Sequence, residues 1–172
     1  MFYCKAQQYP LNVNFTTVPN ESYIKDTNNE YNKFIGTWKA NVGNKAVYIY
    51  ITKQENRPIT RLNKNFFRDV LLIKYKILIN DQITESTINI SNENIVSTQI
   101  GVDNAVMFSY TGGKCGIGWG MIDLKYIDSF HLKWNYQPQS TVVTNKSCSD
   151  YPTDGVKINL PYEPADLIFT KQ

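Results

Sequence analysis

The sequence predicts an all-β fold: a closed or nearly closed up-and-down antiparallel β-barrel of about 8–10 strands, preceded by a short N-terminal helix. Three observations carry that prediction. Segments that alternate apolar and polar residues, the period of a half-buried strand, recur from Phe34 to the end of the chain. Each segment stops at Gly, Pro, Asn or Asp, the residues that turn a chain. No stretch between them is long and helical enough to cross over and lay two strands parallel. With 172 residues, an apolar fraction of 42%, and 12 Tyr, 8 Phe and 3 Trp, one domain has enough large side chains for its own core.

Residues 1–19 carry two prolines, several Asn and Thr and little periodicity, and read as an extended N-terminal arm; residues 20–172 read as the barrel domain. In "PNESYIKDTNNEYNKF", Asn20 can cap a helix, and Ile24, Tyr31 and Phe34 recur at roughly helical spacing, which predicts the short helix. Ile35 to Ala40 makes the first strand and "NVGN" the first turn. Lys45 to Lys53 then sets Val47, Ile49 and Ile51 on one face, with Tyr48 and Tyr50 on the other. The clearest alternation is "RDVLLIKYKILIND", with Leu71, Ile73, Tyr75, Ile77 and Ile79 on a buried side and Lys74 and Lys76 on a wet one. Asn80-Asp81 suits a hairpin turn into Glu85 to Ile90. After a middle region without a clear pattern, Val106, Phe108 and Tyr110 share a face before "TGGK"; Trp119, Met121 and Ile127 share a parity after it. Phe130, Leu132, Trp134 and Tyr136 alternate with His131, Lys133 and Asn135. Residues 137–164, with four prolines, form a long irregular excursion, and "ADLIFTK" closes the chain as a last strand.

The 18 Lys+Arg and 15 Asp+Glu give a net charge of +3 without any block of like charge, which describes a solvated surface. Three of the cations are arginine (Arg57, Arg61, Arg68), the residue whose planar fork reads phosphates and base edges, so nucleic acid is not an expected partner. No run of about 18 apolar residues occurs, so no transmembrane segment is expected. His131 is the sole histidine and no CxxC spacing occurs, so neither a metal site nor a cofactor is predicted. Cys115 in "GGKCGIG" and Cys148 in "NKSCSDYP" lie in turn-like surroundings; they either remain free thiols or pair in an oxidising compartment, with Cys4 left over. The glycine-rich "TGGKCGIGWG" leads into a strand where a phosphate cradle needs a helix, and so reads as a hairpin turn followed by a close backbone approach. Asp69 and Asp123 occupy half-buried settings, where ion pairing or solvation accounts for them, and no nucleophile with a base accompanies them. No enzyme activity is predicted and no catalytic residue is assigned.

"FIGTWK", Phe34 to Lys39, stands before the long meander of strands. Gly permits a backbone turn forbidden to other residues, and Trp brings the largest apolar plug with one N–H to anchor it. This corner resembles the opening of the calycin superfamily, the lipocalins and fatty-acid-binding proteins. The resemblance implies that Gly36 and Trp38 form the structural base of the barrel, with Trp38 closed over by a basic side chain from near the chain's end, here Lys171. A second resemblance spans nearly the whole chain: "AQQYPLN", "NNEYNKFIGTWK", "RDVLLIKYK" and "PADLIFTKQ" are similar to a family of small exported bacterial proteins of unknown function, predicted to be lipocalin-like. It implies a secreted or periplasmic location; a native N-terminus would instead make the expected location cytoplasmic. Ala6 before Gln7 fits a signal-cleavage border, without the apolar segment such a signal needs.

The aromatic residues supply the candidate ligand contacts. In a closed barrel, one parity of Tyr75, Phe108, Tyr110, Trp119, Trp134 and Tyr136 points inward, and an eight-strand barrel either fills with side chains or holds one small ligand. The function expected is a non-enzymatic, exported binding protein that holds a small apolar or amphipathic ligand in its barrel. The alternative is a filled barrel acting through its surface as a protein-binding or inhibitor module, with loop 137–164 meeting the partner.

Overall fold

The computed structural model describes residues 6–172, so Cys4 lies outside the described residues. Eleven strands form one sheet: β1 (Gln8–Pro10), β2 (Tyr23–Lys25), β3 (Gly36–Val42), β4 (Lys45–Arg61), β5 (Lys64–Ile79), β6 (Gln82–Ser86), β7 (Ile95–Ile100), β8 (Ala105–Tyr110), β9 (Gly120–Asp128), β10 (His131–Pro138) and β11 (Leu167–Lys171). Eight of them close an antiparallel barrel in the order β5-β4-β3-β11-β10-β9-β8-β7, and β7 returns to β5 where Leu72 faces Val96. That seam is thin. It is reinforced by side chains, the Leu71 N–H donating to Ser97 Oγ at 2.8 Å and the Tyr75 N–H to Thr87 Oγ1 at 2.8 Å. The same edge of β5 also carries β2 near one end and β6 near the other.

The turns follow from their residues. Asn80 and Asp81 between β5 and β6 have φ of 50° and 62°, the left-handed pair that a two-residue hairpin needs, and Asn and Asp reach it at low cost. Alternation then sets the faces. Val47, Ile49 and Ile51 of β4, Leu71, Ile73, Tyr75 and Ile77 of β5, and Leu132, Trp134 and Tyr136 of β10 are all buried.

The short N-terminal helix is not formed; within the segment read as helical lie β2 and a single 3-10 turn at Asn32–Phe34. Two interactions outcompete the helical spacing. Tyr23 and Ile24 pair in parallel with Phe67 and Arg68 of β5, which buries Ile24. Asp26 accepts the backbone N–H of Glu30 at 2.7 Å and of Tyr31 at 3.3 Å, and this local bonding fixes a turn that includes Asn29 at φ 56°. The stretch ahead of it, read as an extended arm, contributes β1 and places Leu11 and Val18 in the core.

The barrel interior is filled. A void wide enough for water would give exposed area to the side chains around it, yet Trp38, Val47, Ile49, Val106, Phe108, Ile122, Leu124, Leu132 and Phe169 are all 0% exposed. Among the described residues, no helix is long and apolar enough to cross a membrane.

Candidate functional site

At the base, the residues of the "FIGTWK" corner come together. Gly36 has φ +134°, a conformation that side chains rarely adopt, and a Cβ there would press on Lys171 Cε at 3.3 Å. Trp38 is fully buried and donates its Nε1–H to the Phe34 carbonyl at 2.8 Å. Lys171 Nζ lies 5.0 Å from the centre of the Trp38 ring, within the range of a cation–π contact. This end of the barrel is a sealed floor.

The opposite end is built differently. The connection from β8 to β9 makes a 3-10 turn at Lys114–Gly116, and Cys115 within it is joined by a disulfide to Cys148. Cys148 belongs to the irregular segment 139–166, which lies across the barrel mouth. Trp134 donates Nε1–H to the Pro161 carbonyl at 2.9 Å, Lys45 Nζ donates to the Asn159 carbonyl at 3.0 Å, and Leu160 is buried. Gly118 N–H donates to the Ser140 carbonyl at 2.6 Å. The expected close approach is present two residues on, at the start of β9, where a Cβ at Gly120 would run into the Gln137 carbonyl.

Between this cover and β6 lies a cleft of about 490 Å³. Tyr110, Ile117 and Ile158 give it apolar surface, and Glu85, Lys114, Asp154 and Lys157 give it charge of both signs. Glu85, Tyr110 and Asn159 of its lining belong to a short hydrogen-bonded chain that continues to the buried Tyr75. Tyr75 Oη donates to Glu85 Oε1 at 2.5 Å and lies 3.3 Å from Tyr110 Oη. Because Tyr75 has one proton and gives it to the carboxylate, Tyr110 is the donor between the two phenols. Asn159 Nδ2 donates to the other Glu85 oxygen, so the carboxylate ties the cover to the barrel. Burial pushes the Tyr75 phenol far above its ordinary pKa, with Tyr110 and Glu85 adding to the shift. Burial also raises Tyr110 and Tyr136. These phenols therefore stay neutral near pH 7 and serve as fixed hydrogen-bonding groups.

Of the six aromatic candidates, Tyr110 lines this cleft, and Tyr75, buried behind it, meets Tyr110 through their hydroxyls. Tyr136 packs edge-on behind Tyr110, with ring centres 5.9 Å apart, and its hydroxyl donates to the Gly118 carbonyl. Trp134 sits deeper, against Tyr136 and Phe169, and Phe108 is in the filled core. Trp119 does not point inward as the parity argument expects; it is 53% exposed. The reason is the face of β9. Gly120, Ile122 and Leu124 are the buried parity, so Trp119 and Met121 belong to the outward one.

The carboxylates behave as structural acceptors or solvated groups. Asp69, fully buried, accepts the Tyr23 hydroxyl and the backbone N–H groups of Asp26 at 2.9 Å and Asn56 at 3.0 Å. Its neighbour Asp26 pairs with Lys53 at 2.9 Å. Burial alone would lower the Lys53 pKa; the hydrogen bond and charge of Asp26, with Asp69 and Glu55, outweigh it and raise the value. Asp123 is exposed, and His131 bonds to Asp128 at 2.9 Å on the surface. Sequence reasoning missed Glu85, Asn159 and Lys157. Glu85 lies opposite Ile77, two residues along β5 from Tyr75, and that pairing was the one available signal; segment 152–159 has no periodicity to read.

No curated protein and no solved structure matches the chain. A family model described as "Family of unknown function (DUF6705)" matches residues 1–172, and the chain belongs to that family.

Proposed function

We propose that this protein is an exported, non-enzymatic binding protein of calycin-like build that holds a small amphipathic molecule at the mouth of its barrel. The observation that carries the reading is the cleft of about 490 Å³ bounded by Tyr110, Ile117 and Ile158 with a charged rim. Its size is that of small-molecule sites, which combine apolar walls with a few placed polar groups. With the interior filled by side chains, the mouth is where the barrel can offer ligand surface. Glu85, engaged by Tyr75 and Asn159, and two neutral phenols favour recognition over proton transfer. The Cys115–Cys148 disulfide suits an oxidising compartment and so supports export.

The test is a titration of the isotopically labelled protein with a panel of small amphipathic acids, amines and lipids, followed by amide NMR. A binder should give saturable shifts confined to residues 110–117 and 152–159, lost in Ile158→Lys. Absence of any saturable shift across the panel, or shifts unaffected by Ile158→Lys, would overturn the proposal.

A second reading is favoured by the apolar side chains exposed around the stapled cover: Trp119, Val142 at 76% exposure, and Tyr151. Covalent attachment of an excursion that presents such residues is how a filled barrel could engage a protein partner. Val142→Asp should then abolish the partner complex while leaving the small-molecule shifts intact.

A further inference from the structure

We propose that a second cleft, on the outer wall of the barrel beside the β5–β7 seam, binds a small oxyanion: the carboxylate or phosphate group of an organic molecule, held between Arg68 and Arg61. The cleft has a volume of about 230 Å³ and lies where residues 12–15 cross β5 and β7. Arg68 lines it and is 4% exposed. A guanidinium keeps its charge at every relevant pH, so this is a buried cation.

A buried cation is ordinarily matched by an acid, and this one is not. Among the described residues Arg68 has no carboxylate within 4.0 Å, and residues 1–5 contain neither Asp nor Glu. Its Nη2 donates to the Leu11 carbonyl at 2.8 Å, while its Nε–H is buried without a partner among the described residues. Asp69 follows in sequence but lies on the opposite face of β5, where Tyr23, Asp26 and Asn56 engage it. Leaving a buried charge unpaired is strongly unfavourable, so the site is built for an anion that comes from outside the chain.

The surroundings agree. All three arginines of the chain lie on the β4–β5 hairpin, and Arg57 is matched, to Glu93 at 3.4 Å. Arg61 also lines the cleft, is likewise without a carboxylate, and is oriented by the Phe15 ring, 4.8 Å from its Cζ. Phe15 is itself stacked on the buried Phe66, with ring centres 5.6 Å apart, so the second guanidinium lies over an aromatic pair. Asn12, Thr98 and Gln99 add neutral polar groups, and Val13 with Phe15 offers apolar surface to the carbon part of the ligand. Two guanidiniums that converge on one polar pocket give the forked hydrogen bonding that carboxylate and phosphate oxygens accept.

The experiment titrates the full chain with sodium propionate and, separately, with inorganic phosphate, against sodium chloride at matched ionic strength, reading amide shifts. One saturable site is expected, with shifts centred on residues 12–15, Thr98 and Gln99. Tighter propionate binding identifies an organic carboxylate and tighter phosphate binding a phosphate ester; either supports the site. Arg68→Met should weaken binding about tenfold or more, and Arg61→Ala about threefold. Because Arg61 is exposed, Arg61→Ala keeps the test decisive even if Arg68→Met fails to fold. Saturation by neither anion, or an affinity unchanged in Arg61→Ala, overturns the proposal.

Discussion

At the base of the barrel Trp38 gives its indole N–H to the carbonyl of Phe34, four residues away; at the mouth Trp134 gives its own to the carbonyl of Pro161, 27 residues away. Both tryptophans are buried and both are anchored to backbone, yet the closures around them differ in kind. The base is shut by a corner in which Gly36 and Trp38 of β3 pack directly against Lys171 of the neighbouring strand β11. The mouth is shut by a long irregular segment that needs a disulfide, a buried leucine and the Tyr75–Glu85–Asn159 chain to stay in place. A closure whose parts pack directly on one another leaves no cleft between them. A closure assembled from distant polar pieces leaves a cleft between them, and the candidate ligand site lies there.

Mutation should separate the two ends. The largest effect is expected at the base, where Trp38→Ala removes a fully buried indole and should cost about 3–5 kcal/mol in urea unfolding. The control is Trp119→Ala, the same deletion at an exposed position, expected within about 0.5 kcal/mol of the parent. A cost below about 1 kcal/mol at Trp38 would mean that the floor is not part of the cooperative core. Next in size is the staple of the mouth. Cys115→Ser with Cys148→Ser opens a loop with a sequence separation of 33 and should lower stability by about 2–4 kcal/mol. Hydrogen exchange should then quicken across 139–166 while β3 and β4 beside Trp38 keep their protection. Equal quickening at both ends would show that the two closures unfold as one unit.

The phenols at the mouth give the comparison a pH signature. Tyr75, Tyr110 and Tyr136 have folded pKa values raised above the ordinary 10.0, chiefly by burial. Below pH 10 each is protonated in both folded and unfolded chains, so stability is independent of their titration and their full contribution is present. Above pH 10 the unfolded chain ionises first, binds fewer protons than the fold, and stability falls, with a slope approaching about 1.4 kcal/mol per pH unit for each tyrosine that stays protonated in the fold. Tyr75→Phe should reduce that alkaline slope by one tyrosine's share. It should also cost about 1 kcal/mol at pH 7, through the lost bond to Glu85. An unchanged slope between pH 10 and 11.5 would show that Tyr75 is open to solvent.

The contrast between the ends also explains what could be read before the structure was known. The barrel strands were legible because a period of two in β4, β5, β8 and β10 reports burial directly, and the base because Gly36 and Trp38 lie two residues apart on one strand. The N-terminal helix was misread because Ile24, Tyr31 and Phe34 are buried for three different reasons: a parallel pairing, a turn under Asp26, and the 3-10 turn before β3. Trp119 was misread because parity fixes two faces without saying which is inside; Gly120, lacking any side chain, hid the inward one. The mouth was mostly illegible. Glu85 and Asn159 are 74 residues apart and meet through a segment without period, and nothing in either neighbourhood names the other. Arg68 lay in plain view, but a buried cation becomes informative only when its lack of an acid can be measured.

The smallest expected effect tests whether the base is held by packing alone. Lys171 is exposed, and its ammonium stands over Trp38 while its stem lies against the Gly36 backbone. Lys171→Met keeps an apolar stem of similar length and deletes the charge, so packing is retained and the cation–π attraction is lost. A cost of about 0.5–1 kcal/mol is expected at such an exposed site. Combining it with Trp38→Phe isolates the pair, because a benzene ring attracts a cation less than an indole does. A coupling of about 0.5 kcal/mol assigns the effect to charge over ring, whereas additive costs would reduce Lys171 to a cover for the corner. In that case the base would be closed by shape alone, and the polar chain at the mouth would be the one closure in this barrel that depends on electrostatics.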